Sequence, residues 1–205
     1  MARLSVELDR FFFSSPSREK VTLGDILTLA GERTFGFLFV LLALPSALPI
    51  PAPGYSVPFG IVMFLLAVQL IAGRKRPWMP QSWQTRAFEL NQIQAVLSKG
   101  LPWLQRLEAL SRPRLTYICT SLPGRVVIGS AIALMSISMM IPIPGTNTLP
   151  AMGIFVTGFG LLDDDGFISI GGLTLCVMGL ILTSLILTFG YEGVKLGIEY
   201  LKGFI

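Results

Sequence analysis

Two stretches of this chain, residues 34–73 and 126–162, contain no charged side chain. Uncharged runs on that scale, separated by a basic block, are what a bilayer selects, because an unpaired ion in hydrocarbon is costly. Composition agrees: 52% of the 205 residues are hydrophobic and only 14% are charged, which is too apolar for an ordinary soluble domain. The pattern predicts an all-α, multi-pass integral membrane protein.

The charges that remain are unevenly placed. Residues 74–125 hold nine basic and two acidic side chains, a net +7, within a chain whose total is +4. All three tryptophans, Trp78, Trp83 and Trp103, fall in this block, and tryptophan beside arginine is the composition of a headgroup interface. A nucleic-acid surface is the competing reading. It is disfavoured because the cations alternate with helix-spaced apolar residues and are flanked by membrane-type segments.

A gapless self-match at an offset of 93 residues pairs Gly31 with Gly124, Gly36 with Gly129 and Leu41 with Leu134. It continues with Pro49-Ile50-Pro51 on Pro142-Ile143-Pro144, Gly60-Ile61 on Gly153-Ile154, and Gly73 on Gly166. An internal duplication is therefore expected, with repeats over residues 34–73 and 126–166. Each repeat is an apolar run, a proline-rich break and a second apolar run. Every arm is shorter than the roughly 20 residues that cross a hydrocarbon core of about 30 Å. Short spanning hairpins and re-entrant hairpins both fit. Pro49, Pro51, Pro142 and Pro144 remove backbone donors and stop regular helix, which favours re-entrant pairs. A turn of that kind at membrane depth survives only under protein or a wet cavity, so a homodimer or higher oligomer is expected to cover it.

After each break the chain restarts with Ser56-Val57-Pro58 and Thr148-Leu149-Pro150, a hydroxyl at the expected N-cap and proline in the first turn. Half-helix amino termini and loop carbonyls in broken helices can hold ions. Pro49, Pro51, Ser56, Pro142, Pro144, Asn147 and Thr148 are thus the candidate substrate- or ion-binding residues. Glu32, Arg33 and Arg125 at the hairpin mouths are candidates for gating or for contact with an anionic group, or are simply helix-end charges anchored at the interface.

Residues 1–33 read as short amphipathic helices rather than a secretory signal, with Thr22 as an N-cap. Residues 74–125 read as a basic amphipathic linker in which Phe88, Ile93, Val96 and Leu97 form one stripe, Gly100 ends a helix, and Pro102 starts another carrying Leu104, Leu107 and Leu110. Asp163-Asp164-Asp165 reads as a solvated acidic loop that caps the next helix. Residues 167–189 form the only run expected to cross conventionally. Residues 190–205 form a terminal amphipathic helix, in which Gly193 and Gly197 have a GxxxG spacing.

Five sets of phrases run along the chain: Leu23-Gly24-Asp25 with Gly31-Glu32-Arg33, the break from Leu44 to Pro51, Gly73-Arg74-Lys75-Arg76-Pro77-Trp78-Met79-Pro80, Leu101-Pro102-Trp103-Leu104 with Arg112-Pro113-Arg114-Leu115, and Pro142-Ile143-Pro144-Gly145 followed by Asn147 and Leu149-Pro150. Together they resemble the ExoD family of bacterial exopolysaccharide-synthesis membrane proteins. The resemblance implies an inner-membrane protein linked to exopolysaccharide production. It implies no catalytic residue.

Histidine is absent, which excludes imidazole bases and histidine-ligated metals. Cys119 and Cys176 are widely separated and read as apolar filler. No motif pairs the few acids for acid–base work, so no enzyme activity, metal or cofactor is expected. Two functions remain: a small transporter of an ion or an anionic or lipid-linked intermediate, or a scaffold whose basic block docks polysaccharide-synthesis enzymes. The expected partners are the lipid bilayer and a second copy of the chain, with no nucleic acid.

Overall fold

The computed structural model describes residues 10, 20–22, 24, 31–47, 56–78, 80, 87–89, 105, 111–141 and 147–202. Both proline breaks, Trp83, Trp103 and most of the linker's apolar stripe lie outside these residues. Six described helices carry the fold: α1 (Thr34–Ala47), α2 (Ser56–Ile71), α3 (Tyr117–Thr120), α4 (Leu122–Met140), α5 (Thr148–Leu162) and α6 (Gly166–Lys202). A 3-10 turn, Gly31–Arg33, leads into α1.

The arms of the two apolar repeats do not pack chiefly within their own hairpins. Helix α1 packs on α5 and α2 on α4, while α1 and α2 barely touch. Backbone approach at small residues decides this. A Cβ on Gly36 of α1 would lie 2.5 Å from the Leu162 nitrogen of α5, and one on Gly158 of α5 would lie 2.8 Å from the Phe39 Cβ. On the other pair, a Cβ on Gly129 of α4 would meet the Ala67 oxygen at 3.2 Å, and one on Gly60 would meet the Ser136 oxygen at 3.0 Å. Both pairs are antiparallel, because the start of each first arm meets the end of the other hairpin's second arm. Phe35, Phe39, Met63, Leu70, Ile128, Ile132, Met135, Met139 and Ile154 fill the core between them. Helix α6 closes the bundle on α5 and α4. There Gly172 abuts Thr157, Gly160 abuts Ser169, and Ser138 and Thr183 share a buried hydrogen bond of 2.7 Å.

The glycine pairs matched at 93 residues divide. Gly36 and Gly129 hold corresponding crossings, but Gly60 faces α4 whereas Gly153 faces Cys176 of α6. The left-handed turn two residues after α2 is Gly73, φ 72°. Two residues after α5 it is Asp164, φ 53°, and not Gly166.

Three further expectations are corrected. Among the described residues two helical segments, not one, are long and apolar enough to cross a bilayer: Leu122–Met140 and Gly166–Gly190. Helix α4 starts before the charged Arg125 because Ser121 accepts from the Gly124 nitrogen and Pro123 sits in the first turn. A terminal cation does not interrupt such a helix. Asp163-Asp164-Asp165 does cap α6, but Asp165 is buried, with only 3% of its surface exposed. Phe88 stands in a strand: β1 (Lys20–Thr22) pairs antiparallel with β2 (Ala87–Glu89), Lys20 opposite Glu89. This pairing joins residues far apart in sequence, which a local helical stripe cannot anticipate. Helix α6 kinks at Gly190, φ 73°, where the expected terminal helix begins.

Candidate functional site

The basic residues converge on one end of the bundle. Arg33 directly precedes α1, and Arg74, Lys75 and Arg76 follow α2. Arg125, in the first turn of α4, donates from Nη2 to the Arg74 carbonyl at 2.7 Å. Its guanidinium lies 6.0 Å from the Phe35 ring centroid, at the outer limit of a cation–π contact. These contacts put the mouths of both hairpins side by side. Arg33 and Arg125 are therefore brought to the same end. Glu32 lies in the 3-10 turn beside them.

Asp165 builds the rest of this end. Its Oδ1 accepts from the Phe167 and Ile168 nitrogens at 2.9 and 3.3 Å, capping α6. Its Oδ2 accepts from the Arg112 nitrogen at 3.0 Å. The Gly166 nitrogen donates to the Arg114 carbonyl at 2.7 Å. The last residues of the basic block are thereby strapped across the start of α6, with Arg112 and Arg114 exposed. Leu115 turns out of the strap at φ 49°. Behind it, the buried Cys119 thiol lies 3.3 Å from the Ser169 hydroxyl and 3.5 Å from the Gly160 carbonyl. Burial pushes that thiol up to about 11, the Ser169 hydrogen bond opposing the shift and Asp164 and Asp165 adding to it.

The opposite end holds the remaining candidates. Pro49, Pro51, Pro142 and Pro144 lie outside the described residues. Ser56 and Thr148 are the first residues of α2 and α5, one position later than the expected N-cap. Asn147 precedes α5 with φ −75° and ψ −19° and makes no side-chain cap. Its buried Oδ1 meets no hydrogen-bond partner among the described residues. Ser56 and Thr148 thus belong to equivalent helix starts, but the turns that would bring them to a common site are not described.

Sequence reasoning missed the Asp165 strap. The only local signal was an aspartate at a helix start, which predicts the cap and not the bond to a residue 53 positions away.

The model of the family described as exopolysaccharide synthesis, ExoD, matches residues 4–185. The chain belongs to the ExoD family. It is also 49% identical to an uncharacterised protein of Synechocystis, over all of this chain and 97% of that relative. To Protein ExoD of Rhizobium meliloti it is 30% identical over 155 residues, covering 74% of this chain and 64% of that relative's length. No solved structure matches it. For this member of the ExoD family, the description names a process, exopolysaccharide synthesis, and no reaction.

Proposed function

We propose that the chain is an integral, multi-pass protein of the bacterial inner membrane that serves exopolysaccharide production, with its basic end in the cytoplasm. One observation carries this reading: Arg33, Arg74, Arg112, Arg114 and Arg125 gather at one end of a bundle whose flanks expose Leu41, Leu44, Leu65, Leu134, Ile137, Val177 and Ile181. Cations on the cytoplasmic side and apolar side chains toward acyl chains are the distribution that insertion selects. Alkaline carbonate should leave the protein in the membrane pellet. Cysteines placed at Arg76 and Arg114 should label from the cytoplasm only, and periplasmic labelling of either would reverse the orientation.

Within that frame the two repeats form parallel hairpins derived from one duplicated unit, whose second copy has shifted by two residues in its second arm. The shared 91-residue correspondence of Gly73 with Asp164, and of the α2 and α5 crossings, supports this. The Ser138–Thr183 bond sets α4, two residues before its end at Met140, level with Thr183, and α6 runs on to Gly190. Past the level of Met140, the last residue of α4, α6 adds about five residues, about 7 Å. The arms of the first repeat, α1 with 14 residues and α2 with 16, are too short to cross a core of about 30 Å, which supports the re-entrant form. Asn147 with its unpartnered Oδ1, Ser56, Thr148 and the four prolines would then line a site at depth for an ion or an anionic or lipid-linked intermediate. A second copy of the chain would cover it, and native mass measurement in mild detergent should find a dimer.

Transport is tested in liposomes carrying the purified chain. P49A/P51A and P142A/P144A should each abolish an ion flux that the wild type supports. A wild type with no flux for any ion or lipid would leave the scaffold reading, which the exposed Arg74-Lys75-Arg76 turn favours. In that case R74E/K75E/R76E should abolish co-purification of polysaccharide-synthesis enzymes.

A further inference from the structure

We propose that the basic end binds the phosphate headgroups of anionic phospholipids, and that Asp165 is the positioning residue holding half of this surface in place. This rests on the membrane reading and deepens it by naming the lipid class.

Two segments remote in sequence build the surface. The first is the exposed turn after α2, carrying Arg74, Lys75, Arg76 and Trp78. Arg125 anchors it through the Arg74 main chain. The second is the strap Arg112-Pro113-Arg114, held by Asp165 through the Arg112 nitrogen and by the Gly166 nitrogen through the Arg114 carbonyl. In all three bonds the strap or turn is gripped by its backbone, so the anchoring does not consume the charged ends of Arg74, Arg112 or Arg114. Pro113 stiffens the strap further, since its ring locks one backbone dihedral.

Charge complementarity selects a polyanionic occupant, and the neighbours select a lipid. Trp78 is 65% exposed, Tyr117 71% and Leu122 60%, all at the level where α2 ends and α4 begins. Exposed aromatics beside cations, bordering an apolar flank, fit the headgroup layer of an anionic leaflet. An acidic soluble protein would satisfy the cations but would leave those aromatic and aliphatic side chains without a suitable environment.

The test uses the detergent-solubilised full chain and its thermal unfolding midpoint, titrated with dioleoyl phosphatidylglycerol, dioleoyl phosphatidylcholine or inorganic phosphate. Phosphatidylglycerol should raise the midpoint saturably, and the other two should not. The half-saturating concentration should rise about tenfold or more in R112Q/R114Q and in R74Q/K75Q/R76Q, and for the wild type in about 0.5 M salt. R112K/R114K, which keeps the charge, should stay within about threefold of wild type. D165N should weaken phosphatidylglycerol binding although every cation remains, which a purely structural cap would not do. Equal responses to the two lipids, or glutamine variants that bind like wild type, would overturn the proposal. An equal response to inorganic phosphate would assign the surface to free phosphate and also overturn it. D165N binding like wild type would remove the positioning role. The membrane reading fails separately, through release of the chain by alkaline carbonate without detergent.

Discussion

Asp165 accepts three main-chain N–H groups with one carboxylate, two from its own helix start and one from the strap. Replacing it with alanine removes a cap and leaves those donors to compete for water. Stability should fall by about 2 kcal/mol, measured by denaturant unfolding in detergent. Gly166 supports the same joint by having no side chain, because a Cβ there would lie 2.3 Å from the Leu115 carbonyl. G166A should therefore open the strap, visible as faster proteolysis at Arg112 and Arg114, and an unchanged digestion rate would count against the strap. The buried Cys119 thiol stays protonated in the fold to a higher pH than when exposed. Its contribution is complete below about 9 and is lost as pH rises toward about 11. Stability should fall across that window and C119A should flatten the fall. At neutral pH, maleimide should label Cys119 only after unfolding.

Helix limits followed local chemistry where that chemistry was present. The start of α4 lies at Ser121-Leu122-Pro123, and a cap residue followed by proline outweighs the nearby Arg125. From Leu122 the helix runs 19 residues, about 28 Å, whereas a start after Arg125 would leave it too short to span. Helix partners were not legible. Helices α1, α2 and α5 are apolar nearly all round, so hydrophobic periodicity gives no direction, and packing is settled by where backbones can approach. Leucine at Gly36 or Gly158 should force α1 off α5 and lower the unfolding midpoint, while leucine at the open Gly171, which meets nothing within 4 Å, should not. Between α4 and α6, the Ser138–Thr183 hydrogen bond should show a coupling of about 0.6 kcal/mol in a double-mutant cycle with S138A and T183V.

At the scale of the whole molecule, each hairpin completes the other, since α1 leans on α5 and α2 on α4. Neither repeat buries its glycine faces alone, so the two should unfold as one unit. The Met139 Cβ stands 3.6 Å from where a Cβ on Gly60 would be, within the usual span of a disulfide. In a C119A/C176A background, G60C/M139C should oxidise to a bridge joining the two halves. After protease cleavage within residues 90–105 the fragments should stay linked until reduced. Fragments that separate without reductant would refute the exchanged arrangement.

The sequence by itself determined the apolar runs, the proline breaks, the basic block at the hairpin mouths and the capping of α6, because each depends on composition or on residues within one helical turn. Only the tertiary structure decided which arms pair, the β1–β2 pairing and the burial of Asp165. Those depend on contacts between residues 50 or more positions apart. Among uniformly apolar helices such contacts are chosen by close van der Waals approach, which leaves no mark in the hydrophobic pattern.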